Sequence, residues 1–387
     1  MRYADITNRL QDLGGAKWAV HQKARQLQDN GADIVELTIG EPDVRVDSSL
    51  IEIAHDSLLA GRLAYSDGRG EADLLDALVE RYEQRRPGVT RENFLCFPGA
   101  QTALFATMMG IADKGSHVML GDPYYASYEG VIRASGGEPL PVPLRAENDF
   151  RLQVEDLQAA LTPNTRALLI NTPHNPSGAV LSAEDIQKIG KFCKEHELWL
   201  ISDEVYEDLI YEGTFASPFD TPEFEDFTVI VSSISKSCAA PGFRSGWAAG
   251  SAEFCERLLS LSETMLFGNQ PFIADVTAFA LRNPPPTAAI MREDYRRRRD
   301  LICDGLSGVE GLHPYKPQAG MFVMVDVSAT GFQGDAFASQ LLNDGVAVMP
   351  GPSFGKNAGS LIRLSLTVPD EKIKIAVQRI IGFTQEL

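Results

Sequence analysis

Cysteine is scarce in this chain, which has five among 387 residues. No two of them stand at Cys-x-x-Cys spacing and their number is odd, so a disulfide framework or a structural zinc site is disfavoured. The six histidines form no His-Glu-x-x-His motif, and no metal centre is predicted. Cysteines that are not paired are typical of a reducing compartment, and we expect the protein in the cytoplasm.

Long apolar runs and an excess of positive charge are also missing. No segment approaches the roughly 18 residues of a membrane span, and residues 1–6 lack the apolar core of a signal peptide. The chain has 35 Lys and Arg against 53 Asp and Glu, a formal net charge of −18, so it repels nucleic acid and anionic membranes. One arginine run, at 296–299, is predicted to be the solvated, acid-flanked face of a helix.

The composition is that of a globular protein, with 44% hydrophobic and 23% charged residues. Continuous apolar runs are typical of strands that are buried on both faces of a parallel sheet. Such runs occur at 118–121, 167–170, 198–202 and 228–231. A helix with a capping box formed by Ser182 and Asp185 is predicted between two of them. The alternation of strand and helix predicts an α/β domain.

The pattern changes after the proline-rich break at 283–286. A long helix follows the break, two strands are predicted at 321–327 and 361–366, and a closing helix at 369–384. These elements predict a second, smaller α/β domain. We therefore divide the chain into an N-terminal segment that joins the small domain, a large domain, and a small C-terminal domain, over 1–45, 46–284 and 285–387.

Polar side chains gather where the predicted strands of the large domain end. Because open α/β sheets bind ligands at the carboxyl ends of their strands, we expect one rim that combines a carboxylate, an amine, hydroxyls and a helix N-terminus. The residues concerned are Gly99, Ala100, Gln101, Asn171, Asn175, Asp203, Tyr206, Ser233, Ser235, Lys236 and Arg244. Asp203 and Lys236 alone could form an ordinary salt bridge, but the complete set disfavours that interpretation.

This set suits pyridoxal phosphate as a cofactor. A lysine amine forms a Schiff base with its aldehyde, and a carboxylate keeps its pyridine nitrogen protonated. At an effective dielectric constant of about 20 and a separation of ~4 Å, that ion pair contributes up to ~4 kcal/mol, or roughly 3 pKa units, which is enough for a cationic ring at neutral pH. A helix N-terminus, hydroxyls and an arginine bind phosphate groups.

Three motifs in this order resemble the class I/II aminotransferases, which are fold-type-I pyridoxal-phosphate enzymes. They are Asn-Thr-Pro-His-Asn-Pro-Ser-Gly at 171–178, Ser-Asp-Glu-Val-Tyr at 202–206, and Ser-Ile-Ser-Lys followed by Gly-Phe-Arg-Ser-Gly within 233–246. The resemblance extends from Gly40 to Arg363, although Ser245 stands where the family usually has an apolar residue. It implies a large domain with a central, mostly parallel seven-stranded sheet flanked by helices, plus a smaller α/β domain.

The resemblance also implies roles for the candidate residues. Lys236 would form the internal aldimine and shuttle the proton. Asp203 would pair with the pyridine nitrogen, while Tyr206 and Asn175 would hold the ring hydroxyl. Tyr125 would stack on the ring. The remaining implied cofactor contacts, mostly to the phosphate, are Gly99, Ala100, Gln101, Asn171, Ser233, Ser235 and Arg244.

Substrate binding and subunit contacts are implied in the same way. Arg363, within the apolar run 361–364, would bind the substrate carboxylate beside the Gly40 backbone and Asn175. A bidentate arginine–carboxylate pair contributes ~1.5–3 kcal/mol and recognises any α-amino acid. Tyr65 would reach the phosphate of a neighbouring subunit, which implies a homodimer. The alternatives are that Arg363 faces solvent by strand alternation, that Tyr125 packs in the core, and that Tyr65 is an ordinary loop residue.

The predicted function is a pyridoxal-phosphate-dependent aminotransferase that moves the α-amino group of an amino acid to a 2-oxo acid, pyruvate or 2-oxoglutarate, in two half-reactions. A β-lyase that acts on sulfur amino acids is the alternative with the same cofactor, because the same lysine serves both reactions. A DNA-binding regulator with a related domain is disfavoured, since the resembling segment begins near residue 1. The amino donor stays open between arginine, aspartate, aromatic and other amino acids.

Overall fold

The computed structural model describes residues 1–11, 13 and 18–387. The helices are α1 Asp5–Leu10, α2 Ala19–Asp29, α3 Ser48–Leu59, α4 Ala72–Glu83, α5 Ala100–Ile111, α6 Tyr128–Ser135, α7 Val154–Ala160, α8 Ala183–Glu195, α9 Ile234–Ser237, α10 Ala252–Met265, α11 Pro271–Arg282, α12 Thr287–Leu306, α13 Gly334–Leu341 and α14 Asp370–Gln385. The strands are β1 Val35–Leu37, β2 Phe94–Phe97, β3 His117–Asp122, β4 Glu138–Pro143, β5 Thr165–Asn171, β6 Trp199–Asp203, β7 Thr228–Ser233, β8 Gly246–Ala249, β9 His313–Tyr315, β10 Phe322–Asp326, β11 Val346–Pro350 and β12 Leu361–Ser365. Within these residues, no helix combines the length and the apolar character that a membrane crossing requires.

The larger sheet has seven strands in the order β2-β8-β7-β6-β5-β3-β4. All of them are parallel except β8, which runs antiparallel to both of its neighbours. The apolar runs of the sequence form β3, β5, β6 and β7, and their central residues are buried. Helices cover the sheet, so the predicted fold class is confirmed.

Helix α8 shows how local sequence fixes an element of this sheet. The Ser182 hydroxyl accepts the Asp185 backbone N–H at 3.1 Å, and the Asp185 carboxylate accepts the Ser182 N–H at 2.9 Å. This reciprocal capping satisfies two backbone donors at the start of the helix. Ile186, Ile189 and Phe192 then form the buried face that packs with β5 and β6.

The smaller sheet has five strands in the order β1-β11-β12-β10-β9. Its strand β1 comes from the N-terminal part of the chain and pairs in parallel with β11. The other strands follow the proline-rich break, which separates α11 from α12. The limits of the domains at 45/46 and 284/285 stay a prediction.

The prediction that the arginine run at 296–299 is a solvated face of a helix is wrong for two of its four residues. Arg298 and Arg299 are only 6% and 1% exposed. Arg298 donates to Asp43, Asp370 and the Leu366 carbonyl, with distances of 2.8, 3.0 and 2.9 Å. Because these partners come from distant parts of the chain, the run itself gives no sign that half of it is buried.

Ser245, the departure from the family pattern, is fully buried. Its hydroxyl accepts a hydrogen bond from Thr277 at 2.7 Å and a longer one from the Asn269 side chain at 3.4 Å. A buried hydroxyl is costly only when it has no partner. The polar residue therefore fits at this position because two other polar residues face it.

Candidate active site

A cavity of about 260 Å³ lies at the carboxyl ends of β5, β6 and β7 and extends to β12 of the smaller sheet. All the predicted site residues except Gly99 and Tyr65 line it. They are Gly40, Ala100, Gln101, Tyr125, Asn171, Asn175, Asp203, Tyr206, Ser233, Ser235, Lys236, Arg244 and Arg363. The two sheets therefore bring together side chains that are more than 300 residues apart in sequence.

Lys236 lies on the short helix α9, which directly follows β7. The Ser233 hydroxyl caps this helix by accepting the Ser235 backbone N–H at 3.3 Å. The Lys236 amine donates to the Gly40 carbonyl at 2.8 Å. Burial lowers the pKa of this amine to about 8, although the nearby Glu41 carboxylate acts in the opposite direction. A substantial fraction of the amine is therefore neutral near physiological pH, as a nucleophile or base requires.

Asp203 ends β6 and is buried. Its carboxylate accepts the Tyr128 hydroxyl at 2.8 Å and the Val205 backbone N–H at 3.3 Å. Burial raises the pKa of Asp203 to about 6, while these two hydrogen bonds oppose the rise. A cation that bound beside the carboxylate would favour its ionised form and would in turn be stabilised by it.

A network of polar side chains connects the strand ends to Arg363. Asn171 donates to the Asp203 carbonyl at 2.8 Å and accepts the Asn175 backbone N–H at 2.8 Å. The Asn175 side chain donates to the Tyr206 hydroxyl at 3.3 Å and accepts from Arg363 at 3.1 Å. Burial raises the pKa of Tyr206, so its hydroxyl keeps its proton at neutral pH.

The region around the start of α5 has the shape of an anion site. Gly99 precedes this 12-residue helix with φ +89°, and a Cβ there would lie 2.3 Å from the Arg244 guanidinium. A Cβ at Gly246 would lie 2.5 Å from the Ala100 backbone nitrogen. Only glycine permits these close approaches. Helix N-termini and arginines both favour phosphate groups. The hydroxyls of Ser233 and Ser235 line the same cavity.

Arg363 is 3% exposed, so the alternative that it faces solvent is wrong. Its guanidinium donates to the Thr38 carbonyl at 2.7 Å and lies 3.7 Å and 4.4 Å from the ring centroids of Phe322 and Phe354. Its Nε is buried without a hydrogen-bond partner, and it forms no ion pair with a carboxylate of the described residues. A buried guanidinium in this state is costly, and an incoming carboxylate would offset the cost.

Tyr125 and Tyr65 differ in their positions. Tyr125 lines the cavity and packs edge-on against Tyr128, with ring centroids 5.5 Å apart, while also contacting the core. Tyr65 is 89% exposed and contacts Phe267 in a separate surface groove. The structure of one chain therefore does not bring Tyr65 into the cavity.

Nine residues that line the cavity were not among the predicted site residues, and four of them are aromatic: Trp18, Tyr128, Phe322 and Phe354. Tyr128 contacts Asp203 across 75 residues of sequence, and no local pattern indicates that pairing. Phe322 follows Gly320 and Met321 in a segment that predicts a strand, but alternation alone does not tell which face meets a ligand. Trp18 lies directly before α2.

These residues fit pyridoxal phosphate. Lys236 offers an amine of lowered pKa, and Asp203 offers a carboxylate for a ring cation. The glycine-lined start of α5, together with Arg244, forms a cradle that a Cβ would fill. Arg363 could still bind an anion, because its Nε has no partner among the described residues.

Comparisons with known proteins match nearly the whole chain. A model of the family described as aminotransferase class I and II matches residues 32–380. Arginine–pyruvate transaminase of Pseudomonas aeruginosa is 41% identical over 389 residues, which cover 100% of this chain and 99% of that protein. Aspartate/prephenate aminotransferase of Thermus thermophilus is 34% identical over 365 residues, covering 93% and 94%. A single mutant of Thermus thermophilus aspartate aminotransferase superposes with a TM-score of 0.93 at 33% identity, covering 100% of both chains.

Proposed function

This chain belongs to the class I and II aminotransferases and is a pyridoxal-phosphate-dependent transaminase of amino acids, and we propose that Lys236 is its catalytic base and Arg363 its site for the substrate carboxylate. The observation that carries this proposal is that the buried Nε of Arg363 has no partner in the described part of the chain and lies in the same cavity as the Lys236 amine. An α-amino acid offers a carboxylate to the first group and an α-proton to the second.

We propose that Asp203, Tyr206 and Asn175 hold the cofactor ring, and that the start of α5 holds its phosphate together with Ser233, Ser235 and Arg244. When bound, pyridoxal phosphate supplies an aldehyde that takes up the amino group and a cationic ring that accepts electrons. Asp203 would keep a proton on the ring nitrogen, because its buried carboxylate would gain a cation as partner. Tyr125, which lines the cavity, would cover one face of a ring held there and exclude water from it.

Lys236 then acts as the base. Its neutral amine withdraws the proton from the α-carbon of the substrate, which the Arg363 guanidinium holds by its carboxylate. The 2-oxo acid of the second half-reaction carries a carboxylate at the same position, so one arginine serves both substrates in turn. This sharing favours a ping-pong mechanism.

For the substrate pair, we propose arginine as donor and pyruvate as acceptor, since the relative at 41% identity bears those names. One feature beside the site supports a cationic donor: the exposed Glu41 directly follows Gly40, whose carbonyl accepts the Lys236 amine, and it acts electrostatically on that amine. The other named relative and the superposed structure, which carry aspartate in their names, make aspartate with 2-oxoglutarate the second candidate.

A panel of amino donors against pyruvate and 2-oxoglutarate tests this choice, with each half-reaction followed by absorbance. We expect the highest kcat/KM for arginine and pyruvate, and a rise in the KM for arginine but not for alanine in Glu41→Gln. Preference for aspartate and 2-oxoglutarate would reject the pair and leave the transaminase assignment intact.

The β-lyase alternative receives no support from the relatives named above, all of which are transaminases or aminotransferases by name. A lyase releases pyruvate and ammonia from a sulfur amino acid without an acceptor, whereas a transaminase requires the acceptor. We expect cysteine or cystathionine to give no steady release of ammonia when the 2-oxo acid is omitted.

We further propose a cytoplasmic homodimer in which Tyr65 reaches the phosphate cradle of the partner subunit. Tyr65, Leu63 and Phe267 are 89%, 65% and 62% exposed and line one surface groove. Exposed apolar side chains grouped in this way are typical of a protein interface. All five cysteines are free and buried, which suits a reducing compartment.

Sedimentation and cofactor titration test the dimer. We expect a mass of two chains, and a weaker affinity for pyridoxal phosphate in Tyr65→Phe, because the phosphate loses a hydroxyl donor. A monomer of full activity would contradict both statements. Fractionation of the cells that make the protein tests its location.

A further inference from the structure

Two loops that border the active site, one from each sheet, are joined to each other. The segment from the last residue of β3 to the start of α6, residues 122–127, carries Tyr125 and is here called the tyrosine loop. The loop after β11, residues 351–360, carries Phe354, whose ring packs on Arg363, and is called the clamp loop. Tyr125 belongs to the proposed cofactor side of the cavity, while Arg363 belongs to the proposed substrate side.

Asp122 makes most of this junction. Its carboxylate accepts the backbone N–H of Lys356 at 3.1 Å and that of Asn357 at 3.2 Å. The Asn357 side chain donates to the Asp122 backbone carbonyl at 3.5 Å. Residues 356–358 form a short 3₁₀ turn, so Asp122 caps the start of a turn from 234 residues away in sequence.

Two neighbouring features reinforce the junction. The Tyr124 backbone N–H donates to the Phe354 carbonyl at 2.7 Å. Gly355 has φ +127°, and a Cβ there would lie 2.0 Å from an Asp122 carboxylate oxygen, so only glycine allows the two loops to come this close. The junction is therefore built by the sequence of both loops and is not a single chance contact.

The tyrosine loop is also fixed on its other side. His174 is buried, its Nδ1 lies 2.7 Å from the Ser177 hydroxyl, and its ring lies close to the Pro123 backbone. With this side held, a change in the Asp122 contacts acts mainly on the clamp loop and hence on Phe354. Phe354 and Phe322 are the two rings that pack on the Arg363 guanidinium.

We propose that Asp122 is a positioning residue: by holding the clamp loop against the tyrosine loop, it sets where Arg363 binds the substrate carboxylate relative to the cofactor face covered by Tyr125. This inference rests on the proposed roles of Arg363 and Tyr125. Asp122 lines no part of the site cavity, so its effect on the substrate passes through the two loops.

The test compares Asp122→Ala and Asp122→Asn with the control Asp326→Ala. Asp326 ends β10 and caps another 3₁₀ turn, since its carboxylate accepts the Ser328 N–H at 2.8 Å. The control thus removes a contact of the same kind at the other end of the clamp loop, where the Val327 N–H donates to the Ser360 carbonyl, and leaves the contacts of Asp122 in place. Asp122→Asn keeps the size of the side chain and serves if Asp122→Ala does not fold.

Three quantities are measured on each purified variant: KM and kcat for the best amino donor, the dissociation constant of 2-aminoisobutyrate from the holoenzyme by absorbance, and the affinity of the apoenzyme for pyridoxal phosphate. 2-Aminoisobutyrate has a carboxylate and an amine but no α-proton. Hydrogen exchange at 354–357 of the apoenzyme reports the junction without any reaction.

For the Asp122 variants we expect faster exchange at 354–357 and a rise of about tenfold in the donor KM and in the 2-aminoisobutyrate dissociation constant, because a misplaced clamp binds the carboxylate poorly. Cofactor affinity should change little, since the phosphate cradle lies elsewhere. Asp326→Ala should alter none of these values.

Unchanged KM and 2-aminoisobutyrate binding in both Asp122 variants would overturn the proposal, and so would equal losses in Asp326→Ala. If the wild-type protein transaminates no donor, the proposed function is rejected. This result is distinct from any difference between the variants and the wild type. In that case, exchange at 354–357 that matches the wild type in both Asp122 variants would still overturn the junction itself.

Discussion

Two buried arginines of this molecule are satisfied in different ways. Arg298 on α12 contacts the carboxylates of both Asp43 and Asp370. Arg363 on β12 is buried to a similar degree, but among the residues that the structure describes it donates only to a backbone carbonyl and a side-chain amide, and its Nε has no partner there. The charge of Arg298 is therefore neutralised by carboxylates of the protein, whereas Arg363 can still bind the carboxylate of a ligand. A buried arginine alone therefore does not identify the proposed substrate site. What distinguishes Arg363 from Arg298 is that no carboxylate of the described residues pairs with it.

The carboxylates of the two regions differ in the corresponding way. Hydrogen bonds from Arg297 and Arg298 lower the pKa of Asp370 to about 2. Burial instead raises the pKa of Asp203 to about 6. The ion pairs around α12 therefore stabilise the fold. The buried charges of the cavity instead destabilise it, and a ligand of opposite charge would reduce this destabilisation.

The largest effect is expected from Lys236→Ala, which removes the amine of the cavity. We expect kcat to fall on the order of 10⁴-fold, because no other group takes over the α-proton. Lys316→Ala, which removes a lysine paired with Asp300 near α12, should leave kcat unchanged. Steady-state kinetics at saturating cofactor measures both. Turnover near the wild-type value in Lys236→Ala would show that the amine of the cavity is not the catalytic base.

Asp203→Asn should lower activity by about 10²-fold or more, yet stabilise the apoenzyme. The folded pKa of about 6 lies above the ordinary value of 3.8, so ionisation of Asp203 costs stability as pH rises from 4 through 6. Asparagine removes this cost, which is at most about 3 kcal/mol above pH 6 and absent below pH 4.

Urea unfolding of the apoenzymes at pH 4.5 and pH 8 measures this difference. Asp370→Asn is the matched control of opposite sign: its lowered pKa contributes stability above pH 4 that is lost as pH falls towards 2, so the variant should be less stable than the wild type at pH 8. An Asp203→Asn apoenzyme that is less stable than the wild type at pH 8 would contradict the account.

The arginines themselves give the next effect. Arg363→Ala should raise the KM for amino donors by about 10- to 100-fold, the loss of a charge-assisted pair, with little loss of stability. Arg298→Ala should leave KM unchanged and cost about 2 kcal/mol of stability, because Asp43 and Asp370 lose their partner. If both variants lost stability equally and kept the same KM, the two arginines would not differ in function.

The smallest effect concerns pH. The positive charge of Arg363 contributes to lowering the pKa of Lys236. In Arg363→Ala, the pH dependence of pyridoxal phosphate uptake by the apoenzyme should therefore move to higher pH, because the neutral amine is what reacts. Arg298→Ala should keep the wild-type profile, and a shift to lower pH in Arg363→Ala would exclude the electrostatic link.

Sequence reasoning succeeded where chemistry follows a strand end. Asp203 directly follows one apolar run and Lys236 follows another by five residues, and the sheet brings both to one rim. It failed where the partner of a side chain is distant in sequence. The burial of Arg298 depends on Asp43 and Asp370, and the Asp203 contact of Tyr128 depends on how α6 meets β6. Strand alternation alone also left the burial of Arg363 undecided, because that burial depends on packing against Phe322 and Phe354.

The most direct test of the central claim is to reduce the holoenzyme with borohydride and locate the modified lysine by peptide mass spectrometry. We expect one pyridoxyl adduct, on Lys236, with the other lysines unmodified and the yield lost in Lys236→Ala. An adduct on a different lysine, or a purified protein that takes up no pyridoxal phosphate, would contradict it.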